Sequence, residues 1–214
     1  MDFVNLGRRM ETAMYKKQMI LQRVVCYFLL AAAALVFVYS LGIMTDLYDM
    51  KFDYYAQDYY NPNIENPTAM VSGTEIYYDM QEFNRTFTKV GIVLILLALS
   101  QFVFQNHTRR KYYIANYITV GANTVAGICV TLWALDNIFK YKEQFMGIDF
   151  ETLKMWSDLF KFYYTESTFW FDISKVVFVV FLVAVAINVI NLVWKIILMG
   201  AEKKLLSAGK EGAV

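Results

Sequence analysis

The chain has one histidine, two cysteines, two prolines and few charges, and each shortage removes a class of function. The lone His107 excludes an HExxH metalloprotease site, paired-histidine haem ligation and a histidine-based triad within one chain. Cys26 and Cys129 both fall in apolar stretches, so the segments between those stretches hold no cysteine and no disulfide framework can staple them. Pro62 and Pro67 stand close together in NPNIENPTAMVSG, which makes that segment turn-rich and spares the rest of the chain the residue that breaks helices. No GxxxxGKS/T or GxGxxG sequence occurs to cradle a nucleotide. The expectation is a protein that is not an enzyme and has no cofactor, no metal and no nucleic-acid partner.

What is abundant is apolar. The chain is 58% hydrophobic, 17% aromatic and only 18% charged, against roughly 45–50% apolar and 25% charged in a soluble domain. Four runs have the roughly 20 residues that cross a hydrocarbon core about 30 Å thick. They predict transmembrane helices over 24–44, 89–106, 113–139 and 175–195 of a single membrane domain, residues 1–214. The fold class expected is an all-α integral membrane protein, a four-transmembrane-helix bundle with two extracytoplasmic loops, the second containing a short amphipathic helix. The first run follows 23 largely polar residues and is longer than the 7–15 apolar residues of a signal-peptide core, so it is expected to stay uncleaved. The third is peppered with Asn, Thr and Gly and carries Asp136 near its far end. Lys175 and Lys195 bracket the fourth, in positions from which both ammonium groups are expected to snorkel to the interfaces.

Charge sets the orientation. Segments 1–23, 107–113 and 195–214 hold five, three and four Lys and Arg, whereas 45–88 and 140–172 hold two and four beside fourteen Asp and Glu. Positive connections resist translocation, so both termini and the 107–112 turn are expected in the cytoplasm and loops 45–88 and 140–174 outside. A cysteine-free exterior fits a bacterial plasma membrane, where the partners are the lipid bilayer and other membrane subunits or further copies of this chain.

The first loop is an acidic, aromatic surface. Asp46, Asp49 and Asp53 recur at helical spacing, and Tyr54, Tyr55, Tyr59 and Tyr60 follow them. Carboxylate oxygens in that array suit a hard cation or a cation-attracting vestibule, and they equally suit a solvated rim with interfacial tyrosines. In the second loop, Asp149 is placed to cap a helix from Phe150, with Leu153, Trp156, Phe160 and Tyr163 on one face and Glu151, Lys154, Asp158 and Lys161 on the other. That face suits the membrane interface, the first loop or a partner protein.

Inside the membrane, helices associate through small residues and polar side chains. The third span has both in one stripe, with Ala115, Thr119, Asn123, Gly127 and Thr131 every four residues and Asn116 and Thr124 beside it. The second span, carrying Ser100, Gln101 and Gln105, is the expected neighbour. The fourth adds Ala184, Asn188, Asn191 and Lys195 on one face. These residues either pack the helices or line a path for ions or solutes. Asp136 either reaches interfacial water or pairs with Lys140 one turn on. Of two sequons, Asn84-Arg85-Thr86 and Asn106-His107-Thr108, only the first lies on the outer side.

Four spans, two outer loops, a tight inner turn and inner termini resemble the layout of tetraspanins, claudins and connexins. Those families carry cysteines in their outer loops, such as the Cys-Cys-Gly of tetraspanins, and these loops carry none, so no residue role and no membership passes to this chain. The first functional expectation is a non-enzymatic accessory or scaffold subunit of a membrane complex. A homo-oligomeric cation-preferring channel lined by the polar faces of the third and fourth spans comes second, and a small solute transporter third.

Overall fold

The computed structural model describes residues 3–46, 71–105, 113–160 and 164–211. Among them are five α-helices and no strand: α1 (Phe3–Asp46), α2 (Ile76–Gln105), α3 (Tyr113–Met146), α4 (Phe150–Phe160) and α5 (Phe169–Glu211). All but α4 contain a stretch long and apolar enough to cross a membrane, namely Lys17–Ile43, Asp79–Phe104, Ile114–Met146 and Phe169–Gly200. The protein is therefore an all-helical, multi-pass membrane protein, and a bilayer is the solvent its outward Ile, Val and Leu side chains fit.

The long helices run past the spans that hydropathy marks. The stretch 76–88, expected within the first loop, is the start of α2; α3 continues from 139 to Met146, and α5 begins at Phe169 rather than 175. The extensions carry charges that end a hydropathy run, yet they keep a buried face: Met80, Phe83 and Phe87 on α2, Phe145 on α3 and Phe171 on α5. Hydropathy reports where lipid begins, whereas a helix ends where its packing ends.

By tertiary contacts the chain falls into two compact units, each taking a stretch of every long helix. One, the terminal unit, comprises residues 1–33, 94–127 and 181–214; the other, the loop unit, comprises 34–93 and 128–180.

The loop unit is built on rings. Phe87 lies 5.5 Å from Phe83, 6.0 Å from Tyr39, and 6.2 Å from both Trp133 and Phe178, so one side chain joins all four long helices. Offset and edge-on pairs of this kind add about 0.5–1.5 kcal/mol each beyond their area. Tyr39 keeps its polar end satisfied by donating to the Trp170 carbonyl at 2.7 Å. Two glycines permit close approaches: a Cβ on Gly91 would stand 3.1 Å from the Phe37 Cα, and one on Gly73 would stand 2.9 Å from the Ile148 Cα. Gly73 also has φ +88°, which an L side chain rarely adopts. Its turn is fastened to the α3–α4 connection by Asp149 N–H donating to Ser72 O at 3.1 Å.

α4 starts where the cap was expected. Asp149 accepts from the Thr152 N–H at 3.1 Å and the Thr152 hydroxyl at 2.7 Å. Leu153 is buried and Glu151, Lys154 and Asp158 are exposed, in keeping with an amphipathic helix.

Candidate functional site

The terminal unit has an interior made of amides. Gln101 on α2 is its centre, because a carboxamide offers two donors and two acceptor lone pairs and the neighbouring helices use both kinds. Its Oε1 accepts from Asn123 Nδ2 of α3 at 2.9 Å and from Asn188 Nδ2 of α5 at 3.0 Å, while its own Nε2 donates to Asn188 Oδ1. Asn123 also donates to the Leu97 carbonyl of α2 at 3.2 Å. The small-residue stripe explains the approach: Gly127 lies against Val185 and Phe181 of α5, where a Cβ would meet Val185 at 3.1 Å. Thr119, Asn123, Gly127 and, in the loop unit, Thr131 are all buried, as are Asn188 and Asn191. The stripe on the third span thus meets two helices, α2, the expected neighbour, at Asn123 and α5 at Gly127.

A second layer comes from α1. Gln18 Nε2 donates to Asn191 Oδ1 at 3.4 Å and to Gln22 Oε1, one turn on, at 3.1 Å. Sequence reasoning missed both glutamines by treating residues 1–23 as a segment outside the membrane. The spacing of Gln18, Gln22 and Cys26, four residues apart, was the available signal, masked by Lys16, Lys17 and Arg23 on the other faces.

The third layer decides between two expectations for Lys195, a place on the polar face of its span and a snorkelling ammonium. Lys195, read as a snorkelling residue, is only 7% exposed. A helical Cα–Cβ bond tilts toward the helix N-terminus, so the Lys195 stem leads back toward Asn191 and Asn188 instead of out past the end of its span. Lys175, at the other end, is exposed as expected, with its ammonium 5.3 Å from the Phe139 ring centroid. On α3, Asn116 is 2% exposed, and neither its Nδ2 nor its Oδ1 has a hydrogen-bond partner.

The chain matches no protein-family model, and comparison with curated proteins and with solved structures returns no match.

The outer-surface candidates are only partly visible. Asp49, Asp53, Tyr54, Tyr55, Tyr59 and Tyr60 lie outside the described residues, and of Asp46 and Trp156 only the helical backbone is described. Asp136 pairs with Lys140 at 2.5 Å, both largely exposed, in the manner its spacing suggests. Asn84 of the Asn84-Arg85-Thr86 sequon is 2% exposed and its Oδ1 is buried, so the folded chain does not present this amide to a glycosyltransferase. Among the described residues no group of three His, Cys, Asp or Glu is placed to hold a metal.

Proposed function

We propose that this protein is a non-enzymatic four-span subunit, an accessory or scaffold that binds other membrane proteins in a bacterial plasma membrane, with both termini cytoplasmic. The observation that carries the reading is the way Gln101, Asn123 and Asn188 satisfy one another inside a single chain. In lipid, such bonds hold helices together at about 0.6 kcal/mol each. Residues spent in this way leave an apolar exterior, including Ile118, Val125, Leu132, Ile190 and Ile197, for lipid or for the helices of a partner. Buried neutral amides orient and adhere; they are poor acids and bases, which supports a binding role over a catalytic one.

Purification of the native protein in a mild detergent is expected to bring down a different polypeptide in fixed proportion. An assembly of this chain alone would overturn the reading. The same burial weighs against a pore between copies of the chain, since Asn188 is 0% exposed within one copy. Reconstituted protein is expected to leave bilayers silent, and a cation conductance altered by Asn123→Leu or Asn188→Leu would favour the channel.

A further inference from the structure

The outward face of α1 carries one residue that does not match its neighbours. Ile20, Val24 and Tyr27 point away from the bundle, with exposures of 63%, 57% and 58%, and Arg23 is exposed among them. Two registers fix its depth. Ile43, the far end of the α1 span, stands about 30 Å along the helix from Arg23 at about 1.5 Å per residue, which is the thickness of a hydrocarbon core. The Tyr27 ring also packs on Phe102 of α2 at 5.1 Å, and the Phe37–Gly91 and Ser40–Thr88 contacts make the two helices antiparallel. Arg23, one turn from Tyr27 toward the α1 N-terminus, is therefore level with the end of α2, whose span stops at Phe104. That is headgroup depth at the terminus-bearing end of the spans.

No acidic residue stands beside Arg23. None occurs between Glu11 and Asp46, between Glu82 and Asp136 or between Asp172 and Glu202, so every helix and the 106–112 connection lack a carboxylate at this level. Glu11, the nearest along α1, is about 18 Å away by helical rise. Glu202 is farther, since Asn191 of α5 meets Gln18 and Glu202 lies about 17 Å beyond Asn191. The two ion pairs among the described residues, Lys140–Asp136 and Lys142–Asp172, belong to the loop unit. A lipid-facing guanidinium without a counter-charge keeps its hydration by reaching the interface, and a helical side chain leans toward its own N-terminus, which here is the nearer surface. It arrives where lipid phosphates lie. Its planar fork of N–H donors matches phosphate oxygens two at a time, and the Tyr27 hydroxyl leans the same way from one turn deeper.

We infer that Arg23 and Tyr27 form a site for the headgroup of an anionic phospholipid, on the lipid-facing side where α1 meets α2. Arg23 supplies the charge and the two-pronged donor, and Tyr27 supplies a single O–H donor. The exposed side chains of Val24 and of Leu99, one turn from Phe102 on α2, offer apolar surface to an acyl chain. Lipid phosphate is already at the depth to which the arginine leads, whereas a carboxylate on a partner helix would have to be drawn out of water to meet it.

The test offers the full chain, delipidated in mild detergent, dioleoylphosphatidylglycerol or dioleoylphosphatidylcholine and counts the lipid retained by native mass spectrometry. It is read on the chain alone, so it stands whether or not a second polypeptide co-purifies. The wild type is expected to retain phosphatidylglycerol preferentially. Arg23→Gln should lower that retention about tenfold, as for loss of a charge-assisted pair, and Tyr27→Phe about threefold, as for a neutral hydrogen bond. Arg23→Lys, which keeps the charge without the fork, should fall between the wild type and Arg23→Gln. Lys175→Gln, which removes an exposed ammonium of the loop unit, should change nothing; a fall equal to that of Arg23→Gln would reduce the effect to unspecific charge attraction and overturn the site. Equal retention of phosphatidylglycerol by the wild type and Arg23→Gln would overturn it as well. So would a polypeptide that co-purifies with the wild type and is lost with Arg23→Gln while lipid retention holds, since the arginine would then belong to a protein carboxylate.

Discussion

The two units solve the same packing problem with opposite chemistry. The loop unit fills its interior with rings centred on Phe87, whereas the terminal unit fills part of its interior with carboxamides centred on Gln101. Lipid tails are as apolar as a phenylalanine, so rings gain little from leaving lipid and hold helices mainly by fitting closely. Amides gain from having partners, because in lipid the alternative is no partner. An aromatic core therefore fails by leaving a void, and an amide core fails by leaving a widowed polar atom.

Removing each centre breaks the comparison most directly. Phe87→Ala is expected to have the largest effect, about 3 kcal/mol, since the cavity left among Phe83, Tyr39, Trp133 and Phe178 is shared by four helices. Reversible unfolding in mixed micelles measures it, and Trp133 fluorescence locates it, because that indole packs directly on the deleted ring. A loss under 1 kcal/mol would mean that the rings are not what joins the loop unit.

Gln101→Leu comes next, at about 2 kcal/mol, because it leaves the amides of Asn123 and Asn188 short of a partner. The informative experiment is the pair: adding Asn188→Leu to Gln101→Leu removes one widowed group and is expected to recover part of the loss. No ring deletion has a second deletion that repairs it. If the double variant is the sum of the two singles, the amides do not act as a network.

How much of this was legible in the sequence follows from the same contrast. The stripe on the third span and the polar face on the fourth were readable, because Asn and Gly are conspicuous in apolar sequence and their spacing names a face. The aromatic core was not, because Phe83, Phe87, Phe145 and Phe171 lie in or next to stretches charged enough to read as loop and share no feature that separates a packed ring from an interfacial one. Lys195 shows a further limit. Spacing puts it both at a span end, where a lysine ordinarily snorkels, and on the face of Asn188 and Asn191, and only its burial decides for the second. Gln18 and Gln22 were hidden by the basic residues around them, which mark a side of the membrane without marking where the helix packing stops.

Gly73 sharpens the comparison at a smaller scale, since it tests the connection that fastens the loop unit. Its φ of +88° and the 2.9 Å approach of a Cβ to the Ile148 backbone both oppose a side chain. Gly73→Ala is expected to cost about 1–2 kcal/mol and to raise hydrogen exchange at the Asp149 N–H that bonds Ser72 O. Exchange unchanged there would show that the turn adapts and that the two connections are independent.

The smallest effect expected comes from pH, which distinguishes the carboxylate cap of α4 in the loop unit from the neutral amides around Gln101 in the terminal unit. The Asp149 carboxyl is held below its ordinary value, first by the Thr152 hydroxyl and then by the Thr152 N–H. A depressed folded value means that the ionised cap favours the folded helix. Its contribution is complete above the ordinary aspartate value of about 4 and is lost as pH falls through the lower, folded value. Between neutral pH and about 5, exchange at the first turn of α4 should stay constant, then rise below about 4, while amides around Gln101 remain protected throughout. Asp149→Asn keeps an acceptor without the charge, and should remove most of the pH response while leaving α4 in place. Loss of protection in the amide core over the same interval would show that the units unfold together, and the contrast drawn between them would then describe two compositions of one cooperative structure.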